Sequence, residues 1–255
     1  MSRAKQMTEE QKQKFRATLS DWQLTIKTYS TMNALHTLAQ HWVENELIIE
    51  QAAKDEVERN GPKWEPKDEQ EIGELLAERG VARMMHDDIM YPMHRYSCIV
   101  MLYTTVEREL RRLIENLEKE HGPQKLQVND IREKSYVAQV AKFVEVFRGV
   151  RLADCPQYEA LSDLQKIRNC IIHCRGEVEL SRDKEFLVQL WLGAKRRRGI
   201  AVPQNHDIHI YPECIEQFLK EVWNFFVWVF EKLNWKISAH WQGDKFEQTF
   251  KKLKK

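Results

Sequence analysis

The most informative segment of the chain is Leu161-Ser-Asp-Leu-Gln-Lys-Ile-Arg-Asn-Cys-Ile-Ile-His-Cys-Arg-Gly176. Apolar residues recur every three or four positions between residues 158 and 171, which is the period of an amphipathic α-helix. The preceding Asp154-Cys-Pro156 supplies an N-cap followed by a proline, and Gly176 can end the helix. A helix is therefore predicted between these two signals. Its second half carries three polar residues: Arg168, Asn169 and His173.

Comparable spacing on both sides of this segment predicts further helices. Apolar residues between positions 99 and 117 form a nearly ideal helical stripe. A second helix opens at Ser135 and ends at Gly149, and a third begins at Pro212 and reaches Leu233. Residues 8–58 contain no glycine or proline. They predict one amphipathic helix or two stacked ones, with a break at Thr28-Tyr-Ser-Thr31, because these residues form helices weakly.

The apolar pattern changes in the last third of the chain. Residues 186–192 and 207–211 flank a connection rich in glycine and arginine, which is typical of a β-hairpin with a long loop. Asn60-Gly61-Pro62 ends the first helical segment. We therefore predict a mainly all-α fold, a helical bundle with a small β-hairpin. Residues 1–62 would form an N-terminal helical arm for oligomerisation or regulation, and residues 63–255 the main domain.

Composition excludes several classes of protein. The 255 residues include only 9 glycines and 7 prolines, too few for the turns of an all-β fold. Forty Lys and Arg against 39 Asp and Glu give a net charge of +1, so nucleic acid would have to bind to local basic clusters. The most apolar run, residues 222–230, is shorter than the ~20 residues of a membrane span. Five cysteines without a CxxC pair and no N-terminal apolar leader predict a cytoplasmic protein with reduced thiols and no membrane association.

The six residues Arg168-Asn169-Cys-Ile-Ile-His173 resemble the signature of the HEPN family, an arginine, a polar residue, three further residues and a histidine near the end of one helix of a bundle. The upstream helix at residues 103–113 is similar to the family's partner helix, which commonly bears an acidic residue near the site. The predicted hairpin and the closing helix are also similar, so the resemblance covers about residues 85–233. It implies a HEPN-like helical bundle and a metal-independent endoribonuclease.

The residue types suit that chemistry. RNA carries its own nucleophile, the ribose 2′-hydroxyl. A histidine such as His173 can accept that proton or donate one to the leaving 5′-oxygen, Arg168 can bind the phosphate oxygens, and Asn169 can orient the histidine or bind the phosphate. On a continuous helix Arg168 and His173 lie ~7.5 Å apart along the axis and ~140° apart around it. On one helix the two side chains are thus too far apart around the axis to bind one phosphate together. The resemblance implies that a homodimer brings two Arg/His sets together, with a 2′,3′-cyclic phosphate as product.

An acidic residue of the partner helix is also expected at the site. Glu107 and Glu109 are two positions apart and so face different ways. We favour Glu107, which follows a residue of the apolar stripe. Alternatively, Glu107 is a charged residue on the solvated face of the helix and has no role at the site.

Basic residues near the motif are candidates for RNA binding. Arg175 occupies the position where one HEPN subgroup has a tyrosine two residues after the histidine, so regulation through that tyrosine is not expected. The basic block in the hairpin connection could bind the RNA backbone or form a solvated tip. It consists of Lys195, Arg196, Arg197 and Arg198.

Neither a metal nor a cofactor is expected. Cys170, His173 and Cys174 lie too close together on one helix to complete a zinc site, and no second Cys/His pair accompanies them. The chain has no Walker-type loop, no GxGxxG and no GxSxG.

The prediction from sequence is thus a homodimeric ribonuclease that acts as a toxin or in defence against phage, with an antitoxin or another defence protein as a possible partner. A helical protein-interaction module without catalytic activity is the alternative. In that case Arg168 would be a surface arginine paired with Asp163 or Glu159. Nucleotide binding in the bundle is a third possibility.

Overall fold

The computed structural model describes residues 9–59, 85–121, 127–192, 199–202, 207–241 and 245–254, together with positions 73, 77 and 80. Most of these residues are helical, which confirms the mainly all-α fold. The α-helices with several described turns are α1 Glu9–Arg59, α2 Tyr91–His121, α3 Tyr136–Arg148, α4 Tyr158–Cys174, α5 Lys184–Leu192, α6 Pro212–Lys232 and α7 Lys245–Phe250. Short 3-10 turns lie at Val128–Asp130, Leu152–Asp154, Val178–Leu180, Ala239–Trp241 and Lys251–Lys254, and a π-helical turn, Met85–Met90, leads into α2.

The β-structure is smaller than predicted, and its first strand lies elsewhere. Strands β1 (Ile200–Ala201) and β2 (His209–Ile210) pair antiparallel, with Ile200 opposite Ile210. The predicted strand at residues 186–192 is instead part of α5. Leu187 and Leu190 are buried one helical turn apart, whereas Leu192 is exposed, and a short apolar run of this kind fits either structure.

Helix α1 passes without interruption through the predicted break at Thr28–Thr31. The hydroxyl of Thr28 donates a hydrogen bond to the backbone oxygen of Lys236 (2.8 Å), and the hydroxyl of Thr31 donates one to Oε2 of Glu109 (2.8 Å). Both threonines are buried. Tertiary partners therefore hold weak helix formers inside the helix.

One hydrophobic cluster joins all the longer helices. Helix α2 packs against α1, α3, α4 and α6, and its stripe from Ile99 to Leu117 is buried. From α1 the cluster takes residues between Met32 and Val43, so this part of the predicted arm belongs to the same core. The division at residue 62 stays a prediction. None of the described helices combines the length and the apolar character needed to cross a membrane.

Helices α2 and α4 run antiparallel, and this pairing positions the motif. Near the start of α2, the hydroxyl of Tyr96 donates a hydrogen bond to the backbone oxygen of Ile208 (2.6 Å) and lies against Gly176, just past the end of α4. Two turns further along α2, Tyr103 faces Arg168. The second half of α4 is therefore held between α2 and the β-hairpin.

Candidate functional site

The motif lies at the end of α4, where the helix stops abruptly. Arg175 caps it in the left-handed conformation (φ 55°), and Gly176 follows at φ 94°. The backbone N–H groups of both residues donate to the carbonyl of Cys170, as at a glycine-terminated helix end. His173 is exposed in the last turn, next to the point where the chain leaves the helix.

Arg168 is half-buried on the side of α4 that faces α2. Its guanidinium carbon lies 5.7 Å from the ring centre of Tyr103, and its Nη1 donates to Oδ1 of Asn169 (3.0 Å). Its Nε is buried and has no hydrogen-bond partner among the described residues. Since buried donors are normally satisfied, this arrangement leaves a donor for a bound acceptor such as water or a phosphate oxygen.

Glu107 belongs to the same cluster as Arg168 through Tyr103. Burial raises the pKa of the Tyr103 phenol above its ordinary value, the Glu107 carboxylate raises it further, and Arg168 lowers it. The phenol therefore interacts with both an acidic and a basic side chain. The fold brings together the predicted arginine and the favoured acidic residue of the partner helix.

Glu109, the other acidic candidate, has a structural environment. It is 1% exposed and accepts hydrogen bonds from Arg108 (2.8 Å), Arg112 (2.9 Å) and the hydroxyl of Thr31. The contact with Thr31 joins α2 to α1. Glu109 thus faces Thr31 of α1 and not Arg168 of α4.

His173 and Asn169 line a cavity of about 530 Å³. The opposite wall is the segment between α4 and α5, which the sequence did not single out. Its lining residues are Leu180, Ser181, Arg182 and Asp183, and Cys174 completes the α4 wall. We call this space the α4–α5 cavity.

Asn169 connects the two halves of the motif. On one side it accepts the hydrogen bond from Arg168, and on the other it lines the α4–α5 cavity with His173. Arg168 is not among the described residues that line this cavity. A single chain therefore places its arginine and its histidine on different sides of α4, as the helical spacing predicts.

Arg175, the basic candidate that the structure describes, is not among the residues that line this cavity. Arg175 lines a separate cavity of about 420 Å³ with Tyr96, Asp207 and His209. Lys195, Arg196, Arg197 and Arg198 lie outside the described residues. For the motif cysteines, burial raises the pKa of the Cys170 thiol to about 12, so this side chain is a neutral thiol. No group of three or more His, Cys, Asp or Glu in the described part of the chain is placed to hold a metal ion.

Sequence reasoning missed Tyr103 and the pair Arg182–Asp183. Tyr103 lies in the apolar stripe of α2, so the sequence predicts it as a core residue, and it is indeed buried. Arg182 and Asp183 follow a 3-10 turn and precede a helix that was predicted as a strand, so no local pattern marks them. Only the packing of α4 against this segment brings them to the motif.

Comparisons with protein-family models, curated proteins and solved structures find no match for the chain. A histidine, an asparagine and an arginine with a spare buried donor can move a proton and bind an anion.

Proposed function

We propose that the protein is an endoribonuclease similar to the HEPN enzymes, which cleaves RNA without a metal ion. One observation carries this proposal: Asn169 joins a partly buried arginine with an unused donor to the cavity that His173 lines. An anion bound next to Asn169 would contact one of these two groups in its own chain, and a second chain would supply the other. These are the groups that RNA cleavage through the 2′-hydroxyl needs.

In the proposed reaction the ribose 2′-oxygen attacks the adjacent phosphorus. His173 accepts the 2′-hydroxyl proton, and the 5′-oxygen takes a proton from a water molecule as its bond to phosphorus breaks. The products are a 2′,3′-cyclic phosphate and a 5′-hydroxyl end. Arg168 and Asn169 would stabilise the additional negative charge on the phosphate oxygens in the transition state.

A homodimer brings the histidine of one chain to the arginine of the other. Exposed apolar side chains on α2 and α4 support self-association, because Met93, Met101 and Ile172 are large apolar residues that are 65%, 44% and 47% exposed. Ile172 lies one helical turn after Arg168 on the same edge of α4. Burying these side chains against a second copy would stabilise the dimer and remove water from the phosphate site.

The test is cleavage of RNA by the purified protein in the presence of a metal chelator. Wild type should form ends with 2′,3′-cyclic phosphate, detected by mass spectrometry. Arg168→Ala and His173→Ala should each reduce the rate about 100-fold or more. Arg151→Ala and His41→Ala, which alter exposed residues distant from the motif, are the matched controls and should retain full activity.

Two results would contradict the proposal. Equal cleavage by wild type and both motif variants would identify a contaminating nuclease, and loss of cleavage on chelation would indicate metal-dependent chemistry. A stable dimer that cleaves no RNA would favour the interaction module, for which the apolar surface around Met101 is the supporting observation.

In the cell, we propose that this activity serves as a toxin or in defence against phage, restrained by a partner protein. Expression of wild type should then arrest growth with loss of RNA, whereas His173→Ala should be harmless. Harmless expression of both would contradict a toxic role, even where cleavage is measured in vitro.

A further inference from the structure

We propose that the α4–α5 cavity is the binding site for a guanine nucleotide, the one whose 2′-hydroxyl attacks the phosphate. This inference rests on the proposed function and adds a base preference to it. Asn169 and His173 form the wall next to the phosphate, and the segment Leu180–Asp183 forms the wall that would contact the base.

The size of the cavity suits a nucleotide. Its volume of about 530 Å³ lies within the range of small-molecule sites, roughly 300–1,000 Å³. The cavity is bounded by the end of α4 on one side and by the segment that leads into α5 on the other. A ligand that entered here would place its polar groups beside His173.

Asp183 is held in a defined position. Its backbone N–H donates to Oγ of Ser181 (3.2 Å), and its carbonyl accepts from the N–H of Leu187 (2.9 Å) in the first turn of α5. These two bonds fix the backbone position from which the carboxylate extends into the cavity lining. Precise recognition of a base requires such a group.

The chemistry of the wall selects among the four bases. Guanine presents two adjacent donors on its Watson–Crick edge, N1–H and the N2 amino group, together with the acceptors O6 and N7. A carboxylate can accept from both donors, and a guanidinium can donate to the acceptors. Asp183 and Arg182 provide these two groups side by side in the cavity lining.

Leu180 provides an apolar surface for the base. It is 66% exposed although it is a large aliphatic residue, and it lines the same cavity. A base packed against it would cover this side chain, which the folded chain leaves in water. The lining thus combines a polar edge with an apolar face, as a base requires.

The experiment measures binding of the four nucleoside 3′-monophosphates to the full chain by calorimetry. These compounds contain no scissile bond, so binding does not depend on cleavage. We expect guanosine 3′-monophosphate to bind about tenfold or more tightly than the adenosine, cytidine and uridine compounds. Asp183→Asn should remove this preference and weaken guanosine 3′-monophosphate about 10- to 100-fold.

Asparagine is as favourable as aspartate at the start of a helix, so this variant should fold. Its circular dichroism spectrum would verify this. Glu185→Gln is the matched control, since it removes an exposed carboxylate two residues away and should bind like wild type. Equal binding of all four nucleotides, or an unchanged preference in Asp183→Asn, would overturn the inference. RNA cleavage without guanine preference would reject the subsite alone, whereas guanine-selective binding without cleavage would reject the nuclease alone.

Discussion

Arg168 differs from an ordinary surface arginine in how its head group is placed. One face lies against the ring of Tyr103, Nη1 is bonded to Asn169, and Nε is buried without a partner among the described residues. These contacts reduce the number of conformations of a long side chain before any ligand binds. A preorganised guanidinium binds a phosphate at a lower entropic cost than a mobile one.

Gly176 allows the chain to turn directly after His173. It has a positive φ, and a Cβ at this position would lie 2.4 Å from the hydroxyl oxygen of Tyr96. Gly176→Ala is therefore expected to lower the free energy of unfolding by about 3 kcal/mol, from the left-handed backbone and the steric overlap together. Urea denaturation followed by circular dichroism measures this change.

Gly149 provides the matched comparison, because its φ is also positive but its Cβ would have nothing within 4 Å. Gly149→Ala should lower the free energy of unfolding by about 1 kcal/mol, because only the left-handed backbone conformation disfavours alanine there. If the two variants were equally stable, the close approach of Tyr96 to Gly176 would not exist in solution.

Substitution of Glu109 should mainly lower stability, whereas substitution of Glu107 should mainly lower activity. Glu109→Gln replaces a buried carboxylate bonded to two arginines and Thr31, so it should lower the free energy of unfolding by about 2 kcal/mol. Glu107→Gln should change stability by less than about 0.5 kcal/mol and reduce RNA cleavage about tenfold. Thermal unfolding and cleavage rates of the two variants check both statements. The reverse pattern would place Glu109 at the site.

At the scale of helices, periodicity and end signals predicted most of the fold. Ser135 was predicted to open a helix, and its side chain accepts a hydrogen bond from the N–H of Ala138 (3.2 Å). Gly149 was predicted to end it and has the left-handed conformation that favours glycine. Such signals are local, since they depend on residues within one turn of the helix end.

Where a prediction depended on distant contacts, the sequence was not enough. The apolar run at residues 186–192 does not itself distinguish a buried strand from a short helix, and Thr28 stays helical because of a partner 208 residues away. The site divides in the same way. The motif predicted the positions of Asn169 and His173 on α4, but the opposing wall with Asp183 depends on tertiary packing.

Residues 239–241 and 245–254 contact α1 through a cluster that contains several ionisable side chains. The ring centre of His36 lies 5.1 Å from the ring centre of Trp241. The hydroxyl of Thr249 lies 3.4 Å from Nε2 of His36. Lys245 donates to Nδ1 of His240 (3.2 Å). Burial lowers the pKa of His36, and His240 and Lys245 lower it further. The docked state therefore favours neutral His36.

This cluster predicts a loss of stability in acid. The pKa of His36 is lower in the folded than in the unfolded chain, so its contribution is complete above the unfolded value of ~6.5 and decreases as the pH falls below it. Burial lowers the pKa of His94 as well, which acts in the same direction. Tryptophan fluorescence during urea denaturation, between about pH 7.5 and pH 5, should show lower midpoints in acid. His36→Asn should flatten this dependence, and an unchanged slope in that variant would contradict the explanation.

For the whole molecule, the decisive question is whether two chains share one site. Arg168 and His173 lie on different sides of α4, so a phosphate that contacts both in one chain would have to span the helix. A second copy related by a two-fold axis can instead present its histidine to the first copy's arginine. Mixed dimers of the two inactive variants test this arrangement directly.

In a dimer of one Arg168→Ala chain and one His173→Ala chain, a shared site can combine the remaining arginine with the remaining histidine. If each of two sites takes its arginine from one chain and its histidine from the other, half of the sites in a mixed dimer are complete. With random pairing half of the dimers are mixed, so the mixture should recover up to about a quarter of wild-type cleavage. Either variant alone should be at least about 100-fold less active than wild type.

Self-contained sites predict a different result, because neither chain of a mixed dimer would then hold both residues. Two differently tagged variants, expressed together and purified through both tags, would contain mixed dimers only, and their cleavage rate decides between the two arrangements. Arg168→Ala paired with the Arg168→Ala/His173→Ala double variant is the control and should stay inactive, because it lacks every Arg168. If the purified mixed dimers were as inactive as this control, the shared site would be wrong, and Arg168 and His173 would have to act within one chain or not in catalysis at all.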